Sequence, residues 1–193
     1  MECGVLALQG AWDAHGKILQ GLGAEVRPVR TAAELDAVDC LVIPGGESTA
    51  MLRLMEPGRL RARLVERVSA GMAVLATCAG VILLAERVAP EQESLGLMAM
   101  AVERNAYGRQ VHSTIDDVAL APDMGEPALM EGVFIRAPRI TRLAPEVAVL
   151  GRLRDEPVLV RQDRMIGATF HPELTADRRV HNLFLKMAEE GHG

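Results

Sequence analysis

A chain of 193 residues, 49% apolar and 24% charged, is long enough for one domain with a sizeable core and has ordinary globular composition. Its formal net charge of −5 and pI near 5.6 exclude the basic excess of a general nucleic-acid binder. No apolar stretch reaches the ~18 residues of a membrane span. Aromatic residues make up only 3%, so the core must be built from Leu, Val, Ala, Met and Ile.

Gly4 to Leu8 reads as a short apolar strand ending at Gln9-Gly10. The N-terminus enters it at once, without a charged segment, an apolar run and a cleavage site, so no secretory leader is expected. Asp13 to Leu22 follows as a helix with Ile18, Leu19 and Leu22 on one face and Gly23 as its stop. Strands are predicted at Glu25–Val29 and Cys40–Ile43, the latter continuous and apolar, as in a sheet covered on both faces. It breaks at Pro44-Gly45-Gly46. Helices at Ser48–Met55 and Leu60–Ala70 lead to a strand that runs into Cys78. This alternation predicts an α/β fold: an open, mostly parallel sheet with helices on both faces, in a single domain over residues 1–193.

The second half is less regular. Val118–Leu120, Gly132–Ile135, Val147–Leu150, Pro157–Arg161 and Met165–Phe170 are strand candidates, close enough together for some to pair antiparallel. Asp177 to Glu190 is a closing helix with Val180, Leu183, Phe184 and Met187 on its apolar face; His181 reads as solvated there. Arg59-Leu60-Arg61-Ala62-Arg63 reads as the solvated side of a helix.

Three scattered cysteines, Cys3, Cys40 and Cys78, form neither a disulfide framework nor zinc spacing. No metal or cofactor is expected, and a reducing, cytoplasmic location follows. A cysteine in an apolar run is usually packed in the core, which is the reading for Cys3 and Cys40. Cys78 differs. Ala73-Val74-Leu75-Ala76-Thr77 ends at it, and Ala79-Gly80 opens a helix, the local plan of a strained nucleophile elbow. Met165–Phe170 likewise runs straight into His171-Pro172-Glu173. A thiol, an imidazole and a carboxylate at strand ends are the parts of an activated-cysteine hydrolase. The start of a helix and a neighbouring imidazole both favour a thiolate, and the imidazole needs an orienting partner; Pro172 stiffens the turn that sets Glu173 beside His171. In open α/β sheets, sites lie beyond the carboxyl ends of the strands, where Gln9, Pro44-Gly45-Gly46, Cys78 and His171 all fall.

Two glycines after a strand free a backbone N–H to face the cleft. With the amide of Ala79, that of Gly46 suits an oxyanion hole, where one donor is typically worth ~3–4 kcal/mol. The arginines of Arg104-Asn105-Ala106-Tyr107-Gly108-Arg109-Gln110 and Phe134-Ile135-Arg136-Ala137-Pro138 suit a substrate carboxylate, because the guanidinium fork matches it. His15 and His112 are secondary candidates for a site role.

These segments, together with Gly4-Val5-Leu6-Ala7-Leu8-Gln9-Gly10, Pro44-Gly45-Gly46-Glu47-Ser48-Thr49, Thr77-Cys78-Ala79-Gly80 and His171-Pro172-Glu173-Leu174-Thr175, resemble the glutaminase subunit of the two-component pyridoxal 5′-phosphate synthase from end to end. Cys and His-x-Glu are common to class I glutamine amidotransferases; the Pro-Gly-Gly-Glu-Ser-Thr, Arg-Asn-x-x-Gly-Arg-Gln and Phe-Ile-Arg-Ala-Pro segments point to the subfamily. The resemblance implies a flavodoxin-like class I amidotransferase fold. It implies that Cys78 attacks the side-chain amide of L-glutamine, that His171 shuttles the proton and Glu173 orients it, and that Gly46, Glu47, Ser48, Arg104, Ile135 and Arg136 line the glutamine pocket. It also implies a TIM-barrel synthase partner that receives ammonia within a large hetero-oligomer and builds pyridoxal 5′-phosphate. Three segments depart from the family pattern: Ala76, Ala14 and His112-Ser113-Thr114-Ile115-Asp116. The alternatives are the glutaminase of another amidotransferase, against which Val81-Ile82 speaks, a cysteine peptidase, and a non-enzymatic redox or interaction module, which an intact Cys78, His171 and Glu173 argues against.

Overall fold

The computed structural model describes residues 1–104 and 114–191. The first half alternates as the pattern predicts: β1 (Glu2–Leu6), α1 (Trp12–Gly21), β2 (Glu25–Val29), α2 (Ala32–Asp36), β3 (Cys40–Ile43), α3 (Ser48–Met55), α4 (Leu60–Ser69), β4 (Ala73–Thr77) and α5 (Ala79–Leu84). Then come β5 (Ala85–Ala89), β6 (Met98–Glu103), β7 (Thr114–Leu120), β8 (Leu129–Phe134), β9 (Arg139–Leu143), β10 (Ala148–Leu153), β11 (Glu156–Gln162), β12 (Met165–Ala168) and α6 (Arg179–Glu189).

A nine-stranded sheet runs β2-β1-β3-β4-β12-β11-β10-β7-β8. Its first five strands are mutually parallel, and the rest extend it with antiparallel pairs. Apart from the edge strand β2, the parallel strands are buried on both faces, and their alternate residues feed two cores. Leu6, Leu41, Ile43, Val74 and Ala76 pack with residues of α3, α4 and α5. Cys3, Val5, Val42, Leu75 and Ile166 pack on the other face with Leu19 of α1 and Val180 and Phe184 of α6. Cys3 and Cys40 oppose each other in the β1–β3 register and are fully buried, in keeping with their reading as core. Among the described residues no helix is long and apolar enough to cross a membrane.

The helix α2 and the sheet β5-β6-β9 were not anticipated. The helix is marked by a capping box: Thr31 Oγ1 accepts from Glu34 N, and the Glu34 carboxylate accepts from Thr31 N, which satisfies N–H groups the first turn leaves unpaired. The small sheet is hidden because β5 follows α5 without a turn residue between Leu84 and Ala85, and because β6 is built on Met98, Ala99, Met100 and Ala101, types with little strand preference.

His181 is the clear departure from expectation. It is fully buried, not solvated. It projects beside the apolar stripe of α6, toward α1, where its ring meets His15.

Phe184 ties α6 to the sheet and is fully buried. Phe184→Ala leaves a cavity that costs about 3–5 kcal/mol, read as a lowered midpoint in urea unfolding. A loss under 1 kcal/mol would show that the helix is not held by this contact.

Candidate active site

The parallel strands bring distant residues to one sheet edge. In the β4–β12 pairing Thr77 lies opposite Ala168, and the Cys78 N–H donates to the Ala168 carbonyl at 2.8 Å. Cys78 then breaks from the strand at φ 49°, ψ −106° and caps α5. A non-glycine residue held there stores about 1–3 kcal/mol of strain. Gly80 makes the turn feasible, since a Cβ on it would lie 2.3 Å from the Ile43 carbonyl oxygen.

Three residues past β12, the His171 N–H donates to the Val133 carbonyl of β8 at 2.8 Å. Pro172 opens a single 3₁₀ turn, and this turn places the Glu173 carboxylate 2.7 Å from His171 Nδ1. Gly45 fills the space between imidazole and thiol: a Cβ on it would sit 2.6 Å from His171 Cε1 and 3.4 Å from Cys78 Cβ. Cys78 and His171 thus meet across one glycine, Glu173 holds the imidazole from its other side, and all three are buried.

Electrostatics favour a proton on His171. Burial pulls its pKa down, but hydrogen bonding and negative charge from Cys78 and Glu173 outweigh that and push it up to about 10. Burial would raise Glu173, yet its bond to His171 and the nearby His15 keep it below the usual carboxylate range.

The residues expected to line the pocket form a second group. Gly46 packs near Met51 and the Gln9 amide oxygen, and the Glu47 N–H donates to Gln9 Oε1 at 3.1 Å. The Glu47 carboxylate caps α3 through Thr49 N and Ala50 N and lies 3.8 Å from Arg104 Nη2. Buried Ser48 donates to Gln92 Oε1 at 3.1 Å, and Arg104 donates to the same oxygen. Ile135 approaches Cys78, its carbonyl 3.7 Å from Sγ. Arg136 follows in the left-handed region at φ 47°, with its side chain exposed. Ala79, the other expected oxyanion donor, is the buried first residue of α5. Residues 105–110 of the first arginine loop, like His112, Ser113 and His192, lie outside the described residues.

The SNO glutamine amidotransferase family matches residues 5–190. The chain belongs to that family. The pyridoxal 5′-phosphate synthase subunit PdxT of Koribacter versatilis is 47% identical over 196 residues, spanning 100% of this chain and 98% of its own. PdxT of Thermotoga maritima is 45% identical, spanning 98% and 100%. A crystal structure of a glutamine amidotransferase, 44% identical, superposes with a TM-score of 0.90 over 97% of this chain and 98% of that one. PurLQS from Thermotoga maritima, at 17% identity and a TM-score of 0.71 over 96% of this chain and 97% of that one, shares the fold alone.

In this family member, sequence reasoning left Gln92 and Thr77 unassigned and gave His15 only as a secondary candidate. Gln92 accepts from Ser48, Thr49 and Arg104; nothing in its surroundings, Pro90-Glu91-Gln92-Glu93-Ser94, marks it. Thr77 meets His15 Nε2 at 3.2 Å. His15 itself lies behind Glu173 and not in the cleft. Its signal was available: it falls three and four residues before Ile18 and Leu19, on the buried face of α1.

The His171 ring should remain an imidazolium at pH 8, where an ordinary histidine, of pKa about 6.5, is neutral. Ring nitrogen shifts measured by NMR across pH check this. Glu173→Gln removes one negative partner, so the proton should then leave at lower pH. A wild-type His171 that is neutral by pH 8 would contradict the ion-pair arrangement.

Proposed function

We propose that this chain acts as a single glutaminase domain that hydrolyses L-glutamine to L-glutamate and ammonia. The observation that carries the reading is the strained Cys78 packed across Gly45 from a His171 that Glu173 orients at 2.7 Å. Cys78 Sγ attacks the side-chain amide carbon. The negative charge that develops on the carbonyl oxygen is met by the N–H groups of Gly46 and Ala79. His171 delivers its proton to the leaving nitrogen, the C–N bond breaks, and ammonia departs from a glutamyl thioester. Water then attacks that carbonyl as His171 takes its proton; the C–S bond breaks, releasing glutamate and the thiolate.

Glutamine is held by Gly46, Glu47 and Ser48 at the start of α3, with Arg104, Ile135 and Arg136. Arg104 and Arg136 suit its α-carboxylate. The strain at Cys78 keeps the thiol at the apex, so this part of the geometry is set before substrate arrives.

The ammonia passes to a synthase subunit that makes pyridoxal 5′-phosphate. The support is full-length similarity near 45% identity to proteins named as PdxT subunits of that synthase, with the specific Pro-Gly-Gly-Glu-Ser-Thr and Phe-Ile-Arg-Ala-Pro segments. We assign the partner a TIM-barrel fold and the pair a large hetero-oligomer, as the family resemblance implies. The free buried thiols suit a reducing cytoplasm.

Glutamate release from L-glutamine, measured alone and with the synthase subunit, tests both parts. Release should rise on mixing, and pyridoxal 5′-phosphate should form when pentose and triose phosphates are supplied. Cys78→Ser should abolish glutamate release while leaving thermal unfolding and partner binding unchanged. Full activity of that variant would overturn the nucleophile, and activity indifferent to the partner would overturn the pathway.

A further inference from the structure

The triad does not end at Glu173. Its side chain is wholly buried. One oxygen, Oε1, serves His171. The other, Oε2, is buried without a hydrogen-bond partner, and the His15 ring nitrogen Nε2 lies 3.3 Å from it. An ionised carboxylate with one oxygen so isolated is costly unless a donor dipole faces it. His15 Nε2 also meets the Thr77 hydroxyl at 3.2 Å, in the residue just before the nucleophile. On its far side His15 Nδ1 lies 3.0 Å from Nε2 of His181. Both rings are fully buried.

Two tautomeric arrangements fit this column. In one, His15 carries its proton on Nδ1 and donates to His181. Its Nε2 lone pair then faces the Glu173 carboxylate, and His181 Nδ1–H is left a buried donor without a partner. In the other, His181 Nε2–H donates to His15 Nδ1, and His15 Nε2–H points toward Thr77 Oγ1 and Glu173 Oε2. His181 Nδ1, which has no hydrogen-bond partner, is then a bare lone pair, and Glu173 Oε2 faces an N–H dipole at 3.3 Å. The second is favoured, because an N–H dipole facing a buried carboxylate is attractive and a lone pair facing it is not.

We propose that His15, its tautomer fixed by His181, is a positioning residue that holds the inner oxygen of Glu173 through its Nε2–H, so that the outer oxygen orients His171. The proposal rests on the glutaminase reading of the triad. Neutrality matters to it. Burial keeps His15 down at about 4, against the pull of Glu173, and His181 at about 3. A neutral donor steadies the carboxylate without cancelling its charge, which stays available to His171. The charged or titratable groups acting on His15 are Glu173 and His171, and those acting on His181 are His15, Glu173 and Arg178.

A pair of amide substitutions separates positioning from packing. In His15→Gln the side-chain amide can take the place of Nε2 and still donate to Glu173. In His15→Asn it falls near Nδ1, keeping the His181 side and losing the carboxylate. With the synthase partner present, His15→Gln should keep kcat for glutamine within about threefold of wild type. His15→Asn should lower kcat by about tenfold or more with little change in KM, the signature of a misplaced catalytic group. His171 should also lose its proton at lower pH in His15→Asn, since a less well held carboxylate supports the imidazolium less. Equal kcat and equal His171 titration in two folded variants would overturn the proposal. Ring-nitrogen NMR of the unmodified protein reads the same point without any variant. His15 and His181 should both be protonated on Nε2 alone between pH 6 and 8; a proton on His15 Nδ1 would overturn it. Wild-type protein with no glutaminase activity beside its partner would instead refute the glutaminase reading, while the NMR would still report the tautomers.

Discussion

The site depends on the close approach of three backbone segments that meet at Gly45. The loop after β3 runs so near His171 and Cys78 that a single methyl group at Gly45 would lie 2.6 Å from the imidazole. The loop after β1 presses from the other side. Gly10, at φ +83°, lies so close that a Cβ there would fall 1.7 Å from the Gly45 carbonyl oxygen. Interiors are packed too densely to absorb such additions. The glycines therefore serve contact between chain segments as much as turning, and the strand order β1-β3-β4-β12 brings those segments together. A parallel sheet places every strand end on one edge, so residues that are far apart in sequence need only short loops to meet.

The second constraint is electrostatic. Burying a carboxylate is costly, and here the cost is offset on both sides of Glu173, by His171 toward the cleft and by His15 toward the core. The same column joins β4 through Thr77, α1 through His15 and α6 through His181. Helices that pack on the sheet for hydrophobic reasons thereby also fix the polar groups behind the triad. This links the closing helix, through His181 and His15, to the carboxylate that orients the His171 imidazole.

The parallel half of the fold was legible because its strands are continuous apolar runs and its helices show an apolar face of period 3.6. Ser48–Met55 and Cys40–Ile43 agree residue for residue with the sequence reading. The small sheet was not legible: Met98 to Ala101 carry little strand preference, β5 follows α5 without a break, and β9 lies far along the chain. The nearness of Cys78 and His171 was legible because each lies just past the end of a parallel strand, β4 and β12. His181 was misjudged because one polar residue beside an apolar stripe resembles the margin of an exposed face, and only its ring neighbour on α1 shows why it is buried. Gln92 had no signal at all, since its role comes from the fold of the segment that brings it to Ser48 and Arg104.

The central claim is that Cys78, and no other thiol, is the nucleophile toward glutamine. A glutamine-shaped electrophile that alkylates an attacking thiolate tests it directly, with the adduct located by peptide mass spectrometry in the presence of the synthase partner. The account predicts one adduct per chain, on Cys78, suppressed by excess L-glutamine, with Cys3 and Cys40 unmodified in the core. Labelling of Cys3 or Cys40 in place of Cys78, or labelling that glutamine does not suppress, would contradict it.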